Sequence, residues 1–228
     1  MPAVQELLAD PVSFIRHNLL KVDGFCNDPP QNAYQPDGTV LLTLDDVTND
    51  FGGVTRKRNR KGFAKLRNWI TGETQYKATR LYLVRLARNG DAETFSAYIC
   101  PYRTDASLST HLGNAARLMF TAEMTGCSFG VGIPNAQGVL VMHSNESALA
   151  TQDSTAPQVQ GQLQQLQNAN ANARMLQPGQ YRQVGDGGMD TRATTMGIRV
   201  NTDWQFWYQN FNYGAGMGDT MLTVARVG

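Results

Sequence analysis

Apolar and polar positions follow first a helical and then an extended period along the first third of the chain. Asp10 followed by Pro11 is typical of a helix start, and apolar residues at helical spacing predict a helix over 11–20. A run of branched apolar residues predicts a short strand over 40–44. A second helical period follows, carried by Phe63, Leu66, Trp69 and Ile70.

The middle of the chain holds the apolar runs that are most typical of strands. Residues 77–88 and 93–102 are rich in leucine, tyrosine, valine and isoleucine, and they flank the turn sequence Asn-Gly-Asp at 89–91. This pattern predicts a hairpin of two central strands. Residues 105–116 place leucine and alanine at helical spacing and predict a helix that leads into the strand carrying Thr121.

A second hairpin is predicted within TAEMTGCSFGVGIPNAQGVLVMHSN, residues 121–145. Residues 134–138 have the composition of a turn, and an apolar run follows them. With that loop length, Phe129 faces His143 across the ladder. Cys127 and His143 are then diagonal neighbours on one face, with backbones roughly 7 Å apart. A slip of one residue would place them on opposite faces.

The C-terminal half predicts one long helix followed by three strands. The helix begins near Thr155 and Pro157 and ends at Pro178, with apolar residues on one side and glutamine and asparagine on the other, as in an amphipathic surface helix. After a glycine-rich turn, strands are expected at 194–200, 204–213 and 221–227. Aromatic residues cluster there, either as core or as an apolar rim beside a site.

Together these elements predict an α+β fold of mostly antiparallel strands packed with three or four helices. A chain of 228 residues, of which 41% are hydrophobic, is long enough for one substantial core. We therefore expect a single domain over 1–228. The net charge of +1 gives no global reason to expect nucleic acid as a partner.

The three cysteines, Cys26, Cys100 and Cys127, are odd in number and widely spaced. This spacing does not predict a disulfide framework, and only two histidines besides His143 are present to complete a zinc site. We expect no metal and no other cofactor, and a reducing compartment. His111 lies on the predicted helix over 105–116, and we assign it no role.

No apolar stretch approaches the length of a membrane-spanning helix, and the first ten residues are acidic where a secretory signal would be basic. Export without a cleaved signal stays open. One basic block stands out, and it consists of Arg56, Lys57, Arg58, Arg60 and Lys61. It is either a solvated face or a docking patch for an acidic protein surface. Nucleic acid is not expected there, because few aromatic residues interleave with the basic ones.

Cys127 and His143 are the pair that nucleophilic carbonyl chemistry needs. An imidazole can take the thiol proton and later return it to a leaving amine. Gly126 precedes the cysteine and Gly130 and Gly132 follow it, which indicates a backbone open to another molecule. The alternative is that Cys127 is a small core residue and His143 an ordinary strand histidine.

This segment resembles the active-site region of the cysteine glutamine deamidases. These include the catalytic domain of cytotoxic necrotizing factor, the Burkholderia lethal factor and the CheD chemoreceptor deamidases. They carry a small residue, glycine and cysteine, a histidine on the next strand and, in several members, a threonine six positions before the cysteine. Here these positions are held by Thr125-Gly126-Cys127, His143 and Thr121. The toxin members have leucine and serine where this chain has Met124 and Thr125. The match covers about 25 residues.

The resemblance implies a β-sandwich-like core flanked by helices, and a deamidase acting on a glutamine side chain of a protein. It implies Cys127 as nucleophile, His143 as acid and base, and backbone amides of Gly126 and Cys127 as oxyanion donors. Thr121 would orient the imidazole, and Asn145 is the alternative orienter. A bacterial toxin or effector acting on a host regulatory protein is implied, secreted or injected into the host cytosol, with the bacterial cytoplasm as the alternative location.

Two other classes of function are compatible with this sequence, one that keeps the Cys127–His143 pair as a catalytic dyad and one that does not. A Cys-His protease or a transglutaminase would keep the dyad and change the acceptor. A non-enzymatic binding domain would bury Cys127 as an inert thiol. The rate of thiol alkylation separates this last function from the others, because a buried structural cysteine reacts slowly at neutral pH.

Overall fold

A computed structural model describes residues 2–27, 29–50, 80–151, 155–182, 191–212 and 220–228. Two short helices, α1 (Ala3–Ala9) and α2 (Pro11–His17), precede the first strand. Two more follow the eighth strand, α3 (Ala156–Asn168) and α4 (Pro178–Tyr181). The strands are β1 (Asn18–Val22), β2 (Val40–Asp46), β3 (Arg80–Leu86), β4 (Phe95–Cys100), β5 (Ser107–Leu112), β6 (Leu118–Thr121), β7 (Ser128–Val131), β8 (Val139–Ser144), β9 (Arg174–Leu176), β10 (Thr191–Val200), β11 (Asp203–Asn212) and β12 (Thr220–Arg226).

Eight strands form one sheet in the order β1-β3-β2-β4-β6-β10-β11-β12. The pairs β1 with β3 and β4 with β6 are parallel, and the other neighbours are antiparallel. The last three strands form a meander, and they are the strands predicted for the C-terminal segment. Strand β2 also lies where the sequence predicts it.

A second sheet of four antiparallel strands, in the order β5-β8-β7-β9, packs against the first. Buried side chains from both sheets form one apolar cluster between them, including Phe129 and Val141 from the small sheet and Met119 and Phe206 from the large one. The α+β fold with a mostly antiparallel, sandwich-like core and flanking helices is therefore confirmed. We call the face of the small sheet that contacts the large sheet its inner face.

The large sheet is strongly curved, and the Gln209 side chain on β11 joins its two ends. Its Nε2 donates to the carbonyl oxygens of Ile15 and Asn18, both at 2.6 Å, and its Oε1 accepts from the Leu20 amide at 2.9 Å. Gln209 is fully buried. The edge strand β1 thus obtains backbone partners from a side chain near the opposite edge, which satisfies groups that an edge would otherwise leave unpaired.

Two predicted elements are wrong, and a third, the first predicted helix, is present but shorter than predicted. Strands β3 and β4 do not form a hairpin, because β2 lies between them. Residues 105–116 do not form a helix but contain strand β5. The spacing of Leu108 and Leu112 suits both periods, since four residues are also two full strand repeats, and the serines and threonine between them favour the extended form. The first predicted helix ends at His17, and buried Leu19 and Leu20 belong to β1.

The long C-terminal helix is also shorter than predicted. It ends at Asn168, and β9 and α4 occupy the rest of the predicted span. The predicted helix that contains Phe63 and the basic block from Arg56 to Lys61 lie outside the described residues, as does the glycine-rich turn at 185–188. Within the described ranges, no helix combines the length and apolar character needed to cross a bilayer.

Candidate active site

The β7–β8 hairpin has the predicted register. Phe129 pairs with His143, and Val131 pairs with Val141. The turn closes through two backbone hydrogen bonds between Asn135 and Gly138, at 2.9 and 3.0 Å. Gly138 has a φ of 108°, and a Cβ there would approach the Leu112 carbonyl oxygen to 2.2 Å. Glycine is therefore required at the position that sets the loop length and the register.

Because of this register, Cys127, His143 and Asn145 share the inner face of the small sheet. All three are buried. Ser128 and Ser144 alternate with them and lie on the outer face, where Ser128 contacts α3. Cys127 and His143, the two predicted catalytic residues, therefore lie on the same sheet face, as predicted.

Cys127 is buried, with 2% of the residue exposed, and its sulfur contacts a polar side chain. Asn145 Nδ2 donates to Sγ at 3.2 Å. Burial raises the pKa of the Cys127 thiol, and the Asn145 side chain and the backbone amides of Gly126 and Thr125 offset part of that rise. The thiol is therefore neutral at pH 7, but it lies among donors that stabilise a thiolate.

The orientation of the Asn145 amide is determined by its four partners. Its Oδ1 accepts from the backbone amides of Asp105 at 3.2 Å and Ser147 at 3.0 Å. Its Nδ2 then donates to the Cys127 sulfur and to the Tyr102 hydroxyl, both at 3.2 Å. Exchanging the oxygen and nitrogen would face the amide group with two N–H donors, so the nitrogen must point at the sulfur.

His143 is 1% exposed, and neither of its ring nitrogens has a hydrogen-bond partner. Its ring packs against Tyr102, with centroids 5.0 Å apart. Burial lowers the pKa of His143 to about 3. A hydrogen bond between Cys127 Sγ and a ring nitrogen is therefore not formed, and Asn145 contacts the sulfur instead. The imidazole is a neutral base with its lone pair unused.

Thr121 does not orient His143 in this structure. It lies on β6 in the other sheet, and its hydroxyl donates to the Ala122 carbonyl oxygen at 3.0 Å and accepts from the Thr195 amide at 3.2 Å. Since both ring nitrogens of His143 lack partners, the Thr121 carbonyl does not bind them either. The spacing of Thr121 from the cysteine matches the family pattern, but its hydroxyl binds the neighbouring strand β10 within the large sheet.

The glycines around the thiol differ in how much free space lies next to their Cα atoms. A Cβ at Gly126 would come no closer than 3.9 Å to a neighbour. At Gly130 it would approach the Ala171 carbonyl oxygen to 2.2 Å, and at Gly132 the Asn170 carbonyl oxygen to 2.8 Å. The later glycines therefore make room for the segment that follows α3, and the prediction that they open the backbone to another molecule is wrong.

The remaining cysteines have more strongly buried thiols. Cys26 and Cys100 are both completely buried, and burial raises the pKa of each thiol. All three cysteines are free thiols. His111 lies on β5 and is exposed. Among the residues that the structure describes, no three His, Cys, Asp or Glu side chains lie together as metal ligands would.

Two side chains that the sequence pattern did not single out contact the cysteine turn. Gln162 on α3 donates to the Gly126 carbonyl oxygen at 2.9 Å, and Tyr181 on α4 donates to the Cys127 carbonyl oxygen at 2.8 Å. The glutamine side of α3 is predicted to be solvated, yet Gln158 and Gln162 are buried. The one available signal is that these glutamines and buried Leu166 recur every four residues, as on one helix face.

The low pKa of His143 predicts a specific acid sensitivity. Between about pH 6.5 and about pH 3 the unfolded chain binds a proton at His143 that the folded chain does not, so folding stability falls as the pH falls through this window. At about pH 4.5 the loss is about 2 to 3 kcal/mol relative to pH 7. Urea unfolding at both pH values should show a drop that is smaller by this amount in His143→Leu. Equal drops in the two proteins would mean that His143 titrates normally.

Comparisons with known proteins add no assignment to this geometry. No family model matches the chain, and no curated protein is significantly similar to it in sequence. A functional assignment therefore depends on what the residues around Cys127 can do chemically.

Proposed function

We propose that the protein is a cysteine-dependent hydrolase of side-chain carboxamides, and that its substrate is a glutamine residue of another protein. One observation carries the proposal. The Cys127 sulfur contacts an Asn145 N–H donor on the same sheet face as His143, whose imidazole is neutral and unpartnered. A structural cysteine needs neither a donor aimed at its sulfur nor an unpaired base beside it.

The chemistry follows from these groups. The sulfur attacks the carboxamide carbon while its proton moves to a ring nitrogen of His143, and the carbonyl oxygen becomes an oxyanion. The carbon–nitrogen bond then breaks, and the imidazolium gives its proton to the departing ammonia. Water hydrolyses the thioester, which releases a glutamate side chain and restores the thiol. No oxidant, metal or cofactor enters this balance.

The distance between thiol and imidazole must shorten for the first step. Diagonal neighbours on a hairpin have backbones roughly 7 Å apart, which lies within reach of two side chains. Catalytic hydrogen bonds are often long in unliganded sites and tighten when substrate binds. A carboxamide that enters beside Asn145 would displace its contact with the sulfur and bring the reacting carbon between the two groups.

The position of Asn145 favours this proposal over a papain-like protease. In that class the third residue, an asparagine, supports the histidine. Here the Asn145 amide contacts the sulfur, and both imidazole nitrogens lack partners. The resemblance to deamidases extends the proposal to a bacterial toxin or effector that acts on a host regulatory protein. The bacterial cytoplasm is the alternative place of action.

One other function has a specific observation in its favour. The 2% exposure of Cys127 and the raised pKa of its thiol are properties of an inert core cysteine in a non-enzymatic domain. The two functions differ in thiol reactivity and in the release of ammonia from glutamine.

Replacing the nucleophile tests the proposal directly. We expect the wild-type protein to release ammonia from a panel of glutamine-bearing regulatory proteins, with the mass increase of an amide-to-acid conversion on one glutamine. Cys127→Ala should abolish both signals, because the thioester forms on the Cys127 sulfur and the thiols of Cys26 and Cys100 are completely buried. Cys26→Ala is the control and should retain activity, since Cys26 lies in a separate apolar cluster with α1 and α2. Loss of activity in Cys26→Ala, with activity kept in Cys127→Ala, would mean that Cys127 is not the nucleophile.

Asn145 and Thr121 should respond differently to conservative replacement. Asn145→Asp keeps the shape and the acceptor oxygen but loses the N–H donor to sulfur, so the thiol pKa should rise and turnover fall by about 10- to 100-fold. Thr121→Val should keep turnover and lower the free energy of unfolding by about 1 to 3 kcal/mol, because the Thr195 amide loses its acceptor.

The measurements are steady-state kinetics, the pH profile of alkylation and urea unfolding. Asn135→Asp, in the hairpin turn, is the matched control for the change of amide to acid. Full turnover in Asn145→Asp together with impaired turnover in Thr121→Val would reverse the two roles.

A further inference from the structure

The peptide group between Gly126 and Cys127 is held from outside the small sheet. Gln162 Nε2 donates to the Gly126 carbonyl oxygen at 2.9 Å, and Gln158 Nε2 lies 3.5 Å from the same oxygen. Gln162 Oε1 accepts from the Ser128 hydroxyl at 2.6 Å. One fully buried side chain therefore binds the residues on both sides of the nucleophile.

The next peptide group, between Cys127 and Ser128, is held by α4. The Tyr181 hydroxyl donates to the Cys127 carbonyl oxygen at 2.8 Å, and the Asn210 side chain on β11 donates to the Tyr181 carbonyl oxygen at 2.7 Å. Both peptide planes that flank the cysteine are thus fixed by side chains from helices.

The packing of α3 fixes where Gln162 sits. Leu166, one helical turn after Gln162, lies over Gly130, where a Cβ would meet its Cδ2 at 2.5 Å. The Ala171 carbonyl oxygen approaches the same glycine. This close contact, possible only with glycine in β7, seats the helix against the strand and places Gln162 over the cysteine turn.

The direction of the Cys127 amide follows from these contacts. In a planar trans peptide the N–H points opposite to the C=O. Since the Gly126 carbonyl points outward to α3, the Cys127 N–H points toward the inner face, where the thiol and His143 lie. In the described part of the chain this N–H donates to no acceptor. A buried, unpaired and fixed donor beside a nucleophile has the geometry of an oxyanion site.

We propose that Gln162 is a positioning residue whose hydrogen bond to the Gly126 carbonyl aims the Cys127 N–H at the oxyanion of the tetrahedral intermediate. This inference deepens the proposed function and depends on it for the identity of the substrate. Gln162 does not touch the substrate, because it lies on the opposite side of β7 from the thiol.

Two probes separate positioning from mere stability. A peptide that carries glutamate γ-semialdehyde, in which an aldehyde replaces the side-chain carboxamide, adds to the Cys127 thiol as a hemithioacetal. The sulfur–carbon bond forms, the former carbonyl oxygen takes up the thiol proton, and that oxygen needs the oxyanion donor. Iodoacetamide alkylates the same sulfur with loss of iodide and forms no oxyanion. A positioning role should alter the first reaction and spare the second.

The variants are Gln162→Met, which removes both hydrogen bonds, and Gln162→Glu, which keeps the acceptor for Ser128 and removes the donor to Gly126. Gln164→Met, exposed on the same helix, is the control. Ser128→Ala removes only the other half of the contact. We expect the affinity for the aldehyde to fall about 10- to 100-fold in both Gln162 variants, with alkylation rates and the affinities of the two controls unchanged.

Unchanged aldehyde affinity in the Gln162 variants would overturn the inference, and so would parallel losses in both reactions or a wild-type protein that forms no adduct. If Gln162→Met does not fold, Gln162→Glu decides. Failure of the proposed function looks different. The wild type would then bind the aldehyde with the predicted dependence on Gln162 but release no ammonia from any glutamine-bearing protein, and the inference about Gln162 would stand.

Discussion

The pairing of Phe129 with His143 is the constraint on which the candidate site depends. A strand repeats every two residues, so this one pairing decides that Cys127, His143 and Asn145 all face the large sheet. The four-residue turn closed by Asn135 and Gly138 sets it, because the backbone at Gly138 and its closeness to Leu112 exclude a side chain. A slip of one residue would turn Ser128 and Ser144 toward the apolar layer between the sheets. It would also place the thiol on the outer face of the small sheet, next to α3.

Burial between the sheets then sets the protonation of the site. Removal from water raises the pKa of the Cys127 thiol and lowers that of the His143 imidazole, so both groups are neutral at pH 7. A neutral pair can react only by moving the proton during attack, as serine–histidine pairs do. The polar groups around the sulfur, from Asn145 and the preceding amides, are therefore important because they lower the cost of the charge that this step creates.

The hairpin was predictable because its signals are local. A turn sequence of defined length between apolar runs fixes a register without knowledge of the rest of the chain. Strand β5 was not predictable, since Leu108 and Leu112 satisfy both the helical and the extended period. The separation of β3 from β4 by β2 and the place of Thr121 in the other sheet depend on contacts between distant segments. The role of Gln162 was hidden for a similar reason, because a glutamine is assigned to solvent unless a buried partner, here a backbone carbonyl, is known.

Competition among the three cysteines for limiting iodoacetamide distinguishes a reactive thiol at Cys127 from an inert core cysteine. The folded protein is labelled at neutral pH, and peptide mapping gives the rate at each cysteine. Cys127, which has hydrogen-bond donors at its sulfur, should react first, while the completely buried Cys26 and Cys100 should react only as the protein unfolds. Labelling of all three at the common rate of unfolding would contradict a reactive thiol at Cys127.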